Sequence, residues 1–278
     1  MAADVFCINL LRRPDRRARF SALLSANAPR TLDRLRFAPG VDGSALTVAQ
    51  LEAATQLRRD TPPCFDQPAL RKLLRLEGQA TLHSHPHGTW SYAPRLLTRG
   101  AVGCAMAHIG IWERLAACSD PAQVAIVFED DIASLAPHFD DKLDSIAGSL
   151  QTLSHSSPRP WDLCYLGHYP RPPGAGPVHG AAAATGLREV VSGVYGLFGY
   201  IISRSGARNL LKWRQRGRSS VALLPLSTQI DVALASRHGA ASLLAVEPPL
   251  VHCSLHQAIA DTDVQVVAHS ERPRSGSG

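Results

Sequence analysis

Short apolar runs alternate with amphipathic stretches along most of this chain. Val5–Leu10, Leu35–Pro39, Val124–Phe128, Asp162–Gly167, Val194–Ser203 and Leu243–Val251 are rich in branched and aromatic residues. They are too short for helices and predict strands. Between them, Arg12–Asn27, Thr47–Leu57, Gly103–Cys118, Leu135–Leu153, Ser205–Trp213 and Ser227–His238 predict helices. Their apolar positions recur every three or four residues: Phe20, Leu23 and Leu24; Met106, Ile109, Trp112, Leu115 and Ala116; Leu143, Ile146 and Leu150. Pro14 stands where a first helical turn needs no N–H. Thr47 and Gln50 have the spacing of a capping box, and Ser205 that of an N-cap. Pro248-Pro249 breaks the last strand, and Gly196 and Gly199 predict the close approach of another backbone or a ligand. Strands alternating with helices predict an α/β fold around a mostly parallel, doubly wound sheet. One domain is expected over 1–268, with a polar, disordered tail over 269–278.

Two segments lack either period. Asp60–Pro94 carries five prolines, a short helical patch near Ala69–Leu76, and the alternating triplet His83, His85, His87. Such a triplet can bind a transition metal, but its Pro and Gly neighbours read as a surface loop or a lid. Tyr169–Gly186 is a low-complexity Pro/Gly/Ala loop.

Composition narrows the partners. Hydrophobic residues make up 45% and charged residues 19% of 278 positions, which is globular and large enough for a sizeable core. The formal charge of +6, from 29 Lys+Arg against 23 Asp+Glu, comes almost wholly from arginine. That suits an anionic substrate such as a nucleotide, while no nucleic-acid-binding motif is present. The six cysteines show no C-x-x-C pairing, so no zinc site is expected, and at least three lie in apolar runs where a buried thiol is the default. No 18-residue apolar span occurs, so no transmembrane segment is expected. The chain reads as soluble, cytoplasmic or membrane-peripheral, or lumenal if a targeting segment belongs to it.

The chemistry concentrates at Val124–Asp131, where a buried-strand pattern ends in Glu129, Asp130 and Asp131. Ligands of α/β sheets bind beyond the carboxyl ends of strands. Extended alternation places Glu129 and Asp131 on one side and Asp130 on the other. Two carboxylates on one side can share a hard divalent cation, which in turn can hold a diphosphate. The plainer alternative is a solvated acidic turn. Asn9, Arg12, Arg13 and Arg16 fall at a strand-to-helix turn that can hold phosphate or simply form a basic helix start. Asp42 follows the second strand, where an acid can bind a ribose hydroxyl, although Asp-Gly is also a common turn. His108 lies on a helix, where a histidine is usually structural. Asp231 lies early in a helix, where the helix dipole alone favours an acid.

The ordered fragments INLLRRPDRRARF, APGVDGSAL, YAPRLLTRGAVGCAMAHIGIW, AIVFEDD, WDLCYLG, GYIISRSGARNLL and QIDVAL resemble glycosyltransferase family 25. That family includes bacterial lipooligosaccharide galactosyltransferases and collagen hydroxylysine galactosyltransferases. The segment EPPLVHCSLHQAIADTDV is closer to the collagen-type branch. The resemblance runs from about Val5 to Asp263. It implies a GT-A fold, a UDP-sugar donor (commonly UDP-galactose), inversion at the anomeric carbon, and Mn²⁺ or Mg²⁺ as cofactor. The acceptor would be a glycan, a lipooligosaccharide or a hydroxylated peptide.

By the same resemblance, Glu129, Asp130 and Asp131 stand at the family's DxD-like motif. Asn9, Arg13 and Arg16 match its N-terminal signature, Asp42 its Asp-Gly turn, and His108 its helix. Donor binding is expected from Asn9, Arg13, Arg16, Asp42, His108, Glu129 and Asp130. Metal binding is expected from Glu129, Asp131 and His256. Asp231 matches an acid near a late helix start and is the expected catalytic base. The family usually reads Gly-Glu-x-Gly-Cys-x-x-Ser-His; this chain has Ala101 for the Glu and Ala107 for the Ser. Two other classes compete: a metal-dependent phosphohydrolase or nucleotidyltransferase, and an inactive sugar-nucleotide-binding family member.

Overall fold

A computed structural model describes residues 3–47, 49–50, 54, 83–84, 90–91, 99–156, 160–168, 186–190, 194–212, 229–235 and 241–253. The strands are β1 (Ala3–Asn9), β2 (Leu35–Pro39), β3 (His83–Ser84), β4 (Trp90–Ser91), β5 (Val124–Glu129), β6 (Ile132–Leu135), β7 (Leu163–Tyr165), β8 (Leu187–Glu189), β9 (Gly199–Ser203), β10 (Leu243–Val246) and β11 (Val251–Cys253). The helices are α1 (Pro14–Asn27), α2 (Pro29–Asp33), α3 (Arg99–Ala117), α4 (Phe139–Ser156), α5 (Arg204–Lys212) and α6 (Ile230–Ala235).

Among the described residues, seven strands form one sheet in the order β2-β1-β5-β9-β7-β10-β8. β2, β1, β5, β7 and β10 point the same way; β9 and β8 run against their neighbours. The sheet is therefore mixed and mostly parallel, as the pattern predicts, while the antiparallel setting of β9 and β8 was not legible in it. The reason is physical. β9 is buried at all five positions, and a continuous apolar strand reads the same in either direction.

Alternation in the strands divides the apolar runs between two cores. Phe6, Ala125 and Val127 pack with Val102, Ile109 and Trp112 of α3, Leu210 of α5 and Leu234 of α6. Val5, Cys7, Val124, Ile126 and Phe128 pack with Phe20 and Leu24 of α1 and with Phe139, Leu143, Ile146 and Leu150 of α4. Helices thus cover both faces, as a parallel region requires.

Several local expectations change. β5 stops at Glu129, and Asp130–Asp131 form a turn into β6, which pairs antiparallel with β11. A strand therefore occupies Ile132–Leu135, and the following helix starts at Phe139 rather than Leu135. Val194–Leu197 is irregular, and only Gly199–Ser203 is strand. Ser203 rather than Ser205 caps α5: its Oγ accepts the Gly206 N–H at 2.9 Å. The capping box forms as expected, Gln50 N–H donating to Thr47 Oγ1 at 3.3 Å and Thr47 N–H to Gln50 Oε1 at 2.9 Å. Pro248-Pro249 separates β10 from β11. The Ala69–Leu76 patch, His85 and His87, most of the Tyr169–Gly186 loop, His256 and the tail lie outside the described residues.

Candidate active site

The chain leaves β1 for β2 on one side and returns to β5 on the other, so the strand order reverses at β1. Crevices at such a reversal bind ligands in α/β sheets. Here the crevice is an open cleft. Its walls come from the ends of β1 (Ile8, Leu10) and β2 (Gly40–Gly43), from Arg12 and Arg16, from α3 (Gly100, Cys104, Ala107, His108), and from Glu129, Asp130 and Asp131.

Tight backbone packing seats the β2 end against α3. A Cβ on Gly43 would come within 2.0 Å of the Arg99 carbonyl oxygen, and one on Gly103 within 2.3 Å of the Val41 carbonyl oxygen. The Arg99 guanidinium donates to the carbonyls of Gly43, Ser44 and Leu46. This holds Asp42 over the cleft. Its carboxylate accepts the Ser44 N–H and O–H at 3.0 and 2.6 Å and the Arg12 Nε–H at 2.7 Å. Those bonds, the Ser44 hydroxyl foremost, keep Asp42 below the usual carboxylate range.

The three acids have three different environments. Asp130 is buried and accepts from Asn9 Nδ2 at 2.6 Å and from Arg16 Nη1 at 3.1 Å. It ties the β1 end and the first turn of α1 to the β5 end. Burial nonetheless raises its pKa. Glu129 lies 3.0 Å from His108 Nε2 and 3.9 Å from Cys104 Sγ. His108 is fully buried, and its Nδ1 is 2.9 Å from the Tyr200 hydroxyl, which also accepts the Trp112 indole N–H at 3.0 Å. Asp131 has a fully enclosed Oδ1 with no hydrogen-bond partner among the described residues. Burial, then the neighbouring Glu129 charge, push Asp131 up to about 7.

Glu129 and Asp131 are therefore separated from Asp130, though not by strand alternation, since the strand has ended. The separation comes from the turn, which sends Asp130 to Asn9 and Arg16. A buried carboxylate oxygen without a donor beside a second carboxylate is the arrangement a divalent cation satisfies. Glu129 and Asp131 thus fit such an ion; His256 lies outside the described residues.

Arg13 does not face the cleft. It forms a two-bond pair with Asp15, at 3.0 and 2.8 Å, while its carbonyl accepts from Asn9 Nδ2 at 3.0 Å. Asp231, in the first turn of α6, accepts the Gly196 N–H at 3.3 Å. Gly196 holds a positive φ of 96°, a conformation suited to glycine. Asp231 does not line the cleft itself, but its charge is close enough to help raise the Cys104 thiol, behind burial and Glu129. Of the two alanines, Ala107 lines the cleft and Ala101 is buried. The sequence alone assigned no site role to Cys104 or Tyr200 and placed Trp112 in the core. The helical spacing of Cys104 and His108 was a signal for the first; the other two become visible only once β9 lies beside β5.

A family model for glycosyltransferase family 25 (LPS biosynthesis protein) matches residues 2–159, which include every cleft-lining residue named above. The chain is 30% identical over 212 residues to the probable inactive glycosyltransferase 25 family member 3 of Bos taurus. It is 30% identical over 214 residues to procollagen galactosyltransferase 1 of Danio rerio and 26% identical over 208 residues to procollagen galactosyltransferase 2 of Homo sapiens. Each match covers 75% of this chain but only 27–28% of the relative.

Proposed function

Because the chain belongs to glycosyltransferase family 25, we propose that it transfers a hexose, galactose by preference, from a UDP-sugar to a hydroxyl acceptor with inversion. The fold would then be of GT-A type. The observation that carries this reading is the cleft at the strand-order reversal, with Glu129 and Asp131 on one wall and Arg12 and Arg16 beside them.

Glu129 and Asp131 would hold Mn²⁺ or Mg²⁺. When bound, the ion neutralises the diphosphate and so stabilises the leaving nucleotide. Arg16, fixed by Asp130, and Arg12, fixed by Asp42, add positive charge on the phosphate side without losing side-chain order during binding. Asp42 would meet the ribose hydroxyls. The enclosed wall of α3 limits water around the reacting centre. Asp231 is the base that accepts the acceptor hydroxyl's proton as that oxygen attacks; the Gly196 N–H holds one of its carboxylate oxygens in place. Such a base contributes roughly 10²–10⁴ in rate. The acceptor is a glycan, a lipooligosaccharide or a hydroxylated peptide.

The test is UDP release across a panel of UDP-sugars and acceptors, with Mn²⁺ and with chelator. Acceptor-dependent release that the chelator and Asp131→Asn both abolish is the expected result. Release indifferent to both removes the metal-assisted reading. Asp231→Asn should lower turnover by about 10² or more while donor affinity holds.

Ala101, Ala107 and the Bos taurus relative named as probably inactive favour a second reading, a donor-binding protein without turnover. Calorimetry would then give UDP-sugar binding with no transfer to any acceptor.

A further inference from the structure

Cys104 and His108 stand four residues apart on α3, so their side chains share one face a single turn apart. The end of β5 brings Glu129 to that face. Glu129 Oε1 is 3.0 Å from His108 Nε2 and 3.9 Å from Cys104 Sγ, and one donor atom from each of the three lies within 4.8 Å of the others. Ligands on a tetrahedral ion bound at about 2.0–2.3 Å stand about 3.3–3.8 Å apart, so shifts of roughly an ångström bring all three onto one ion.

The surroundings suit that role. Metal-bound imidazoles are held by an oxygen partner on their second ring nitrogen, and here the Tyr200 hydroxyl sits 2.9 Å from His108 Nδ1. Trp112 fixes that hydroxyl oxygen through its indole N–H. The hydroxyl hydrogen rotates, so Tyr200 can donate to Nδ1 or accept Nδ1–H. In the second case Nε2 presents a lone pair toward Glu129 and Cys104. All three residues line the open cleft, which gives an ion an entry path and a fourth, exchangeable position. A thiolate, an imidazole and a carboxylate select zinc-class ions over Mn²⁺ and Mg²⁺.

We propose that Cys104, His108 and Glu129 form a three-ligand site for a thiophilic divalent cation of the zinc class. It shares Glu129 with the harder site at Glu129 and Asp131. Zinc at this position withdraws Glu129 from the harder site, so it opposes manganese-supported transfer. That regulatory consequence rests on the transfer reaction proposed above; the site itself rests on the three side chains.

Cobalt(II) tests the site without any turnover. Titrated into the reduced, metal-free protein, it should give a near-ultraviolet thiolate-to-cobalt charge-transfer band at one equivalent. Zn²⁺ should bleach that band, and Mg²⁺ in excess should leave it. Cys104→Ser should abolish the band, His108→Gln should weaken Zn²⁺ binding by at least about tenfold, and Tyr200→Phe should weaken it by about tenfold. Cys118→Ser, beyond the end of the same helix, should leave it intact. A second measurement needs no variant: Zn²⁺ should protect Cys104 of the wild-type protein from alkylation, mapped by mass spectrometry. No band in the wild type, a band surviving in Cys104→Ser, or alkylation of Cys104 unaffected by Zn²⁺ overturns the site. A protein that gives the band but transfers no sugar keeps the site and loses only the transfer reaction.

Discussion

Asp130 and Asp131 are neighbours in sequence with opposite expected effects on stability. Asp130 compensates the buried Arg16 guanidinium and the Asn9 amide. Asp130→Ala removes the buried counter-charge of Arg16 and one acceptor of Asn9, and should cost about 3–5 kcal/mol in chemical denaturation. Asp131 instead holds an enclosed oxygen with no donor among the described residues, and its folded pKa rises from the ordinary 3.8 to about 7. Between those values the folded protein binds a proton that the unfolded chain releases. The stabilising contribution is therefore full below about pH 4 and is lost as pH rises through about 7. In metal-free protein, Asp131→Asn should flatten this stretch of the melting-temperature profile and raise stability at pH 8 by roughly 1–3 kcal/mol. A melting temperature for the variant below that of wild type at pH 8 contradicts this account. The gathering of the three acids at the end of a strand was legible from their position. Their division of labour was not, because alternation predicts orientation only while the strand lasts, and β5 ends at Glu129.

Among the elements, α3 does most to shape the cleft. It presents Cys104, Ala107 and His108, and its first turns clasp the Gly40–Ala45 segment through Arg99 and Gly103. Two glycines on this one helix should respond in opposite ways to alanine. At Gly103 the new methyl meets the Val41 carbonyl, so Gly103→Ala should cost about 1–3 kcal/mol and loosen Asp42. At Gly110 nothing lies within 4 Å, and Gly110→Ala should gain up to about 1 kcal/mol from helix propensity. Denaturant midpoints of the two variants check the pair. The helix and its apolar face were readable from the spacing of Ile109, Trp112 and Leu115. The clasp was not, since it joins residues some sixty positions apart through backbone atoms that no side-chain pattern encodes.

At the level of the molecule, two cores hold the sheet between helices, and the strand-order reversal places the cleft at the ends of its strands. Acids enclosed there without full compensation store an electrostatic cost that the proposed cation would relieve. Mn²⁺ at about 100 times its dissociation constant should therefore raise folding stability by about 2.7 kcal/mol, and chelator should reverse the gain. If UDP is held through the same ion, Mn²⁺ and UDP together should shift the melting temperature by more than the sum of their separate shifts. Simple additivity would place UDP elsewhere. Among the described residues, no helix is long and apolar enough to cross a membrane.

The main strands and helices, the core-facing positions of α1, α3 and α4 and the acidic run at the end of β5 were fixed by residue order, because each depends on neighbours within a turn or a strand; the family was legible in the order of motifs along the chain. Tertiary structure alone decided that β9 runs antiparallel between β5 and β7, that Asp130 turns to Asn9 and Arg16, and that Cys104, His108 and Tyr200 gather behind Glu129. Those contacts join residues from 21 to 121 positions apart. What brings them together is the packing of whole elements against the sheet, and no local periodicity carries that information.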